Sequence, residues 1–269
     1  MISSSIVLCI IAYGLTGVVA GLMSGLLGLG GGLVVVPALA TVFKYSHVVP
    51  EALAMQAASG TSLAIMVLTS KASISAHYKL GNILWHVYRR LAPGIVIGTI
   101  AGALLADSIS TGWLKWIFAV FLLAVAFKMA FTDTVKLTHE FPRQWINNLM
   151  AMVIGSVSGL LGVGGGTLVI PYLSYCGVTM HEIAAVSALC TLTVAVIGSL
   201  MFAITGANEA GLPAYATGYI YWPAVIAVAI PSVLTAPVGV RLTYRLPVKQ
   251  LTYGFIVILV ITAINLLFI

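Results

Sequence analysis

Two glycine-rich stretches carry the residues best suited to chemistry in this chain. Residues 21–39 read GLMSGLLGLGGGLVVVPAL and residues 155–173 read GSVSGLLGVGGGTLVIPYL. The two copies align without a gap, so that a serine, a triple glycine and a proline recur at the same spacing; the matched pairs are Ser24 with Ser158, Gly30, Gly31 and Gly32 with Gly164, Gly165 and Gly166, and Pro37 with Pro171. Such a match is evidence of internal repetition.

Each glycine triplet predicts a break between two apolar helices. A glycine in a helix costs about 1 kcal/mol relative to alanine, so three together should end it. The N–H groups that open the next helix, from Leu33 and from Thr167 onward, then lack intrahelical partners at a positive dipole end. That arrangement suits an anion. The alternative is that the glycines only allow close helix packing. Because interrupted segments occur in matched positions, as at transporter binding sites, the anion site is the preferred interpretation.

Composition assigns the chain to the membrane. Of its 269 residues 61% are hydrophobic and only 7% are charged, and the mean hydropathy is +1.14. A soluble domain carries about 25% charged residues. The net charge of +6 is interpreted below as a topology signal, with no nucleic-acid partner. The three cysteines lie in apolar runs and predict neither a disulfide nor a metal site.

The apolar stretches are long enough for several membrane spans. The predicted order is a broken segment at 6–43, helices at 50–76, 86–106 and 112–131, a second broken segment at 145–176, and helices at 180–205, 219–241 and 248–268. Glu182, three residues after Thr179, forms a capping box that predicts a helix start.

The repeat extends over both halves of the chain. Residues 57–61 match 187–191, 81–85 match 218–222, and 114–118 match 251–255. The predicted fold is an all-α polytopic membrane protein of two repeats, residues 1–135 and 143–269, forming one membrane domain. Each repeat is a glycine-broken helix hairpin, re-entrant or split, followed by three transmembrane helices.

The basic residues predict how the chain is oriented. If the helices alternate, ten of the twelve Lys and Arg fall on one side, which is assigned to the cytoplasm; they are Lys71, Lys79, Arg89, Arg90, Lys128, Lys136, Arg143, Arg241, Arg245 and Lys249. Lys44 and Lys115 fall on the other side. The two halves then have inverted topology, and both termini lie outside the cytoplasm. The predicted location is the cell (inner) membrane.

These residues resemble the TauE/SafE family of sulfite and organosulfonate exporters. The resemblance rests on the doubled G-L-L-G-x-G-G-G…P pattern, on residues 61–63 (TSL) and on residues 77–82 (HYKLGN). It implies a multi-pass permease that exports sulfur-containing anions such as sulfite or sulfoacetate. Residues 190–192 (CTL) depart from the Gly-Thr-Ser pattern at 60–62, which argues against identical roles for the two positions.

Polar side chains on two helices are candidates to complete the anion site. The full set of predicted binding residues is Gly30, Gly31, Gly32, Leu33, Gln56, Ser59, Thr61, Gly164, Gly165, Gly166, Thr167, Ser187 and Thr191. For each hydroxyl the alternative is a bond to its own helix or a packing role. Gln56 is the strongest side-chain candidate, because a buried amide needs several partners. Ser24 and Ser158 are interpreted as structural, and His77 as interfacial beside Tyr78 and Lys79.

The acidic residues exclude several chemistries. All six lie at predicted helix ends or in loops, whereas an enzyme active site or a proton relay within the membrane would need such groups at depth. No catalytic residue, cofactor or ATP-binding loop is predicted. The preferred function is secondary transport or uniport of a small sulfur-containing anion. The alternatives are an anion channel of the same architecture and a non-transporting membrane assembly protein. The oligomeric state is left open, with a homodimer as one option.

Transport without stoichiometric proton movement is expected, because the membrane potential alone supplies about 2.3 kcal/mol per charge per 100 mV for an anion leaving a negative interior. In proteoliposomes held at fixed voltage, anion uptake should persist when a pH gradient is dissipated. Uptake that collapses with the gradient would contradict this expectation.

Overall fold

The computed structural model describes residues 2–79, 83–131, 142–243, 256, 257 and 259–266. Its helices are α1 (Ile2–Leu27), α2 (Gly32–Ser46), α3 (Ala54–Tyr78), α4 (Trp85–Ser108), α5 (Thr111–Phe131), α6 (Gln144–Leu161), α7 (Gly166–Tyr175), α8 (Met180–Thr205) and α9 (Trp222–Thr243). Residues 256, 257 and 259–266 are also helical. Single 3₁₀ turns occupy Glu51–Leu53 and Gly206–Asn208. The all-α prediction is confirmed.

Five helical segments of the described chain are long and apolar enough to cross a membrane. They are Glu51–Tyr78, Trp85–Ser108, Thr111–Lys128, His181–Asn208 and Trp222–Leu242. The tryptophans near helix ends are exposed, as expected at a membrane interface; they are Trp85, Trp113, Trp116, Trp145 and Trp222. These features support a multi-pass membrane protein.

The predicted helix limits hold closely except before α9. Helix α8 spans the predicted 180–205, and the Thr179 N–H donates to Glu182 Oε2 over 3.2 Å, as the capping box requires. The helix predicted at 219–241 begins instead at Trp222. A two-stranded hairpin, β1 (Ala216–Thr217) and β2 (Ile220–Tyr221), precedes it. Of the helix predicted at 248–268, only residues 256, 257 and 259–266 belong to the described part of the chain. Most of the link between the halves also lies outside the described residues.

The hairpin is attached to the bundle by Tyr219. Its N–H donates to the Phe202 carbonyl over 3.2 Å, and its phenol donates to Asp107 Oδ1 over 2.9 Å. Burial raises the pKa of Tyr219 and the bond to Asp107 raises it further, so the phenol stays protonated and acts as a donor. These two bonds keep residue 219 out of α9.

Residue contacts give the directions of the packed helices. Helices α1 and α9 are parallel, since Gly17, Gly21 and Gly25 lie against Val228, Ser232 and Ala236 in turn. Helices α4 and α6 are parallel, since Gly94, Gly98 and Gly102 lie against Asn148, Met152 and Ser156. Helix α3 is parallel to α9, with Thr61 next to Tyr221 and Thr69 next to Ser232. Helices α3 and α8 are antiparallel, with Gly60 next to Phe202 and Leu63 next to Gly198.

The basic side chains of these helices lie at one end of the bundle. Helix α4 is parallel to α8, with Tyr88 next to Thr193 and Thr99 next to Gly198. Because α8 is antiparallel to α3, helices α1, α3 and α9 point one way, and α4, α6 and α8 point the other. The end shared by the C-termini of α3 and α9 and the N-termini of α4 and α6 carries Lys71, Lys79, Arg89, Arg90, Arg143 and Arg241. We call it the basic end. It is the side that the charge distribution assigned to the cytoplasm.

Glycines set the spacing of the α1–α9 and α4–α6 pairs. A Cβ on Gly21 would overlap Thr235 Oγ1 and the Ser232 carbonyl, whereas a Cβ on Gly14 meets nothing within 4 Å. The same close approach recurs at Gly98 and Gly102 on α4. Small residues in such rows let helix backbones pack tightly where lipid supplies no hydrophobic drive.

Gly21→Leu should therefore destabilise the protein and Gly14→Leu should not. Overpacking at Gly21 is expected to cost roughly 1–3 kcal/mol, while the change at Gly14, two turns away on the same helix, should cost less than about 0.5 kcal/mol. Thermal unfolding of the purified variants in detergent measures the difference. Equal loss of stability in both variants would refute this packing account.

Candidate functional site

Two backbone corners interrupt the helical hairpins at the predicted positions. The first corner, residues 28–33, joins α1 to the first turn of α2, and the second corner, residues 162–167, joins α6 to the first turn of α7. In the first, Gly28, Gly30 and Gly31 have φ values of 67°, 73° and 82°; in the second, Gly162 has a φ of 67°. Glycine is the residue that adopts this left-handed conformation without strain. The glycine breaks predicted from sequence are thus present.

The two corners contact each other directly. A Cβ built on Gly164 would lie 2.5 Å from the Leu29 carbonyl oxygen, and one on Gly166 would lie 2.7 Å from the Gly28 carbonyl oxygen. A Cβ on Gly32 would lie 3.1 Å from the Gly162 carbonyl oxygen. Side chains at these positions would force the corners apart. With the corners in contact, no solute fits between Gly28 and Gly166; we call this arrangement the closed conformation.

One hydroxyl on α8 connects the two corners. Thr191 Oγ1 donates to the Gly28 carbonyl over 3.1 Å and accepts from the Gly166 N–H over 3.1 Å. The first bond reaches the first corner, and the second reaches the first residue of α7. Thr191 is fully buried, so a lost bond would leave a buried group unsatisfied, at a cost of about 1–3 kcal/mol.

Two serines each bind the corner of the opposite half of the chain. Ser59 Oγ on α3 donates to the Leu161 carbonyl over 3.2 Å, next to the second corner. Ser187 Oγ on α8 donates to the Gly28 carbonyl over 3.2 Å, in the first corner. The sequence match aligned Ser187 with Ala57, two residues from Ser59. The contacts instead give Ser59 and Ser187 corresponding positions, so the structural match is shifted by two residues from the sequence match. The periodicity of the sequence did not indicate this shift.

The first corner has free backbone donors. No hydrogen-bond acceptor for the N–H groups of Gly31, Gly32 and Leu33 is found in the described part of the chain. At the second corner the Gly166 N–H is bound by Thr191, and Thr167 Oγ1 donates to the Gly164 carbonyl over 3.3 Å. The side chains against these glycines are uncharged (Met66, Ser187, Thr191 and Val194). The corners thus offer an anion backbone N–H groups without a formal charge.

Two predicted site residues lie elsewhere in the fold. Gln56 Nε2 donates to the Ile109 carbonyl over 2.9 Å, and Gln56 Oε1 accepts from Thr111 Oγ1 over 2.8 Å, so its amide joins α3 to the α4–α5 connection. Thr61 Oγ1 accepts from the Tyr221 N–H over 3.0 Å at the β-hairpin. The structure brings together the glycines, Leu33, Ser59, Thr167, Ser187 and Thr191.

Met66 is a site residue that sequence reasoning missed. Its sulfur lies 2.8 Å from the Cβ position of Gly30 and 3.0 Å from that of Gly32. It is fully buried on α3, seven residues after Ser59 and therefore on the same helix face. The seven-residue spacing from Ser59 could have identified Met66. It was not singled out, because an apolar residue in an apolar helix does not stand out as a binding residue.

His77 lies at the basic end of α3, but its side chain is buried. Tyr78 and Lys79 are exposed, but the His77 side chain is completely buried in the last turn of α3. It lies beside the Gly25 backbone of α1, and neither ring nitrogen has a hydrogen-bond partner among the described residues. Its place next to a basic loop in sequence concealed the fact that this face of α3 packs against α1.

Comparison with known proteins finds a family model and several relatives that match this chain. The family model described as sulfite exporter TauE/SafE matches residues 13–266. A probable membrane transporter protein of Haemophilus influenzae is 35% identical over 264 residues, covering 97% of each chain. The probable membrane transporter protein MJ0441 of Methanocaldococcus jannaschii is 29% identical over 239 residues, covering 88% of this chain and 87% of the relative. No solved structure gives a significant match.

The family match spans both corners, α3 and α8, and the relatives align over almost the whole length of the chain. The protein therefore belongs to the sulfite exporter TauE/SafE family and is a multi-pass membrane transporter.

Proposed function

We propose that this protein transports small sulfur-containing oxyanions, namely sulfite, sulfoacetate or another sulfonate, which bind between the two corners. One observation carries the proposal: the corners meet inside the bundle, and the first presents three N–H groups without acceptors among the described residues. Helix N-termini are natural anion sites. The family description, sulfite exporter, favours the same solute class, and the names of the relatives support transport across a membrane.

The helix directions support an inverted-repeat architecture. In the proposed correspondence α1, α3 and α4 of the first half match α6, α8 and α9 of the second. The two helices of each pair point in opposite directions. Helices α1, α3 and α9 share one direction, and α6, α8 and α4 share the other. The helix contacts follow the same symmetry, because α1 packs on α9 as α6 packs on α4. Inverted repeats with broken helices at their interface are a carrier architecture.

Transport then requires the corners to separate. In the closed conformation Thr191 is hydrogen-bonded to both corners. Separating the corners therefore breaks its bond to the Gly28 carbonyl or its bond from the Gly166 N–H. An anion entering the gap would accept hydrogen bonds from the released Thr191 hydroxyl and from the N–H groups of Gly31, Gly32 and Leu33. Each such charge-assisted bond is worth about 1.5–3 kcal/mol, which offsets the bonds lost on opening.

The chemistry favours a compact anion with several oxygens. Sulfite and sulfonate groups carry three oxygens around one sulfur, and can accept donors from both corners at once. A carboxylate has two oxygens and would satisfy fewer donors. Without a lysine or arginine at the corners, binding stays weak enough for release, and the membrane potential drives export at about 2.3 kcal/mol per charge per 100 mV.

Two other functions are distinguishable by experiment. An anion channel of this architecture would conduct without saturating at millimolar solute, and a non-transporting assembly protein would show no flux. The contact between Gly28 and Gly166 leaves no open pore at the corners in this structure, so saturation of flux is the measurement that separates a carrier from a gated channel.

Thr191→Val is expected to weaken anion transport specifically. The valine keeps the shape but removes a donor to the anion, so the half-saturating sulfite concentration should rise about tenfold. Uptake by proteoliposomes should be compared across sulfite, thiosulfate, sulfoacetate, taurine and carboxylate analogues.

Thr193→Val is the matched control. Thr193 lies two residues away on α8, where its hydroxyl donates to the Leu189 carbonyl of its own helix over 3.1 Å and pairs with Tyr88. Its sulfite dependence should match the wild-type protein. The proposal fails if the wild-type protein transports no sulfur oxyanion, or if the two variants have equal affinities.

A further inference from the structure

One face of α3 carries a continuous row of buried, mainly polar residues. Spacings of three and four place its members on the same side of the helix; they are Ser59, Ser62, Met66, Ser70, Ser73 and His77. Each is at most 1% exposed. Serine is a common small residue where membrane helices pack, so the buried hydroxyls of this row require an explanation only where they lack hydrogen-bond partners.

Several polar atoms along this row have no partner. Within the described part of the chain, no hydrogen bond reaches Ser62 Oγ, Ser70 Oγ or either ring nitrogen of His77. Ser24 Oγ, on the facing helix α1, is also buried and unpaired there. A buried unsatisfied polar group costs about 1–3 kcal/mol. Native structures contain few of them, and a cluster indicates a bound ligand or water.

Met66 lies at the first corner and divides the row into two parts. Its side chain lies against Gly30 and Gly32, while Ser59 contacts the second corner. Ser70, Ser73 and His77 follow Met66 toward the basic end. Ser73 Oγ donates to the Ser24 carbonyl over 3.3 Å and so joins α3 to α1 beside the unpaired groups. The part of the row beyond Met66 therefore connects the first corner with the basic end.

We infer that Ser24, Ser70 and His77 form a second binding site for the transported oxyanion, between the basic end and the first corner. This inference rests on the proposed function for the identity of the anion. A neutral imidazole offers one N–H donor in either tautomer, and each serine hydroxyl can rotate to donate. Three donors match the three oxygens of a sulfonate. The lysines and arginines of the basic end attract the anion, and Met66 separates this site from the corners.

Cysteine labelling tests the site in the full-length chain with Cys9, Cys176 and Cys190 replaced by alanine. Ser70→Cys should react with 2-sulfonatoethyl methanethiosulfonate, a water-soluble sulfonate reagent. Leu68→Cys is the matched control, since Leu68 is 45% exposed on the outer surface of the same helix, where lipid excludes the reagent. The rate at Ser70→Cys should exceed the control rate by about tenfold or more, because the thiolate forms only where water enters.

Sulfoacetate should slow the labelling of Ser70→Cys by occupying the site. Adding His77→Leu should raise the protecting concentration about tenfold, because one donor to the anion is lost. Adding His77→Gln, which keeps an N–H donor, should raise it less than about threefold. Ser75→Ala, at an exposed serine on α3, should leave protection unchanged.

The outcomes separate this inference from the proposed function. Labelling of Ser70→Cys no faster than Leu68→Cys, or labelling that sulfoacetate does not slow, overturns the second site even if the wild-type protein transports sulfite. If Ser70→Cys does not fold, Ser73→Cys and His77→Cys replace it under the same criteria. Protected labelling in a protein without anion flux would keep the site and refute transport.

Discussion

The contact between two bare backbone corners is the constraint on which the site depends. Gly28 and Gly166 approach so closely that a side chain on Gly166 would meet the Gly28 carbonyl, and Thr191 joins both corners through one hydroxyl. The surrounding helices accommodate this contact. Glycine rows bring α1 onto α9 and α4 onto α6, while Ser59 and Ser187 bind the corners from α3 and α8. Any bulkier residue at the corners would separate the halves there.

A site built from N–H groups and hydroxyls suits a transporter of anions. A lysine or arginine at the corners would hold an anion more tightly and would itself have to be buried at high cost. Helix N-termini supply partial positive charge without that cost. The full charges lie instead at the basic end, next to the proposed second site at Ser24, Ser70 and His77. In the proposed path, the full charges of the basic end attract an anion, and the uncharged corners bind it weakly enough to release it.

Local chemistry made some features of the fold predictable. The glycine triplets indicated both corners, because three consecutive glycines disfavour a continuous helix. The Thr179–Glu182 capping box located the start of α8. Tertiary contacts decided the rest. Tyr219 was placed in a helix, but its bonds to Phe202 and Asp107 hold it in a hairpin. His77 was placed at the interface, but α1 covers it. Gln56 was a candidate ligand, yet its amide is bound to Ile109 and Thr111. No periodicity in one chain specifies which helix covers which face.

Anomalous diffraction from crystals grown with selenite, a heavier analogue of sulfite, tests directly whether an oxyanion binds between the corners. We expect a selenium peak between the corners, within hydrogen-bonding distance of the N–H groups of Gly31, Gly32 or Leu33, with Gly28 and Gly166 moved apart. Selenium bound only at sites remote from both corners, with the corners still in contact at saturating selenite, would contradict it.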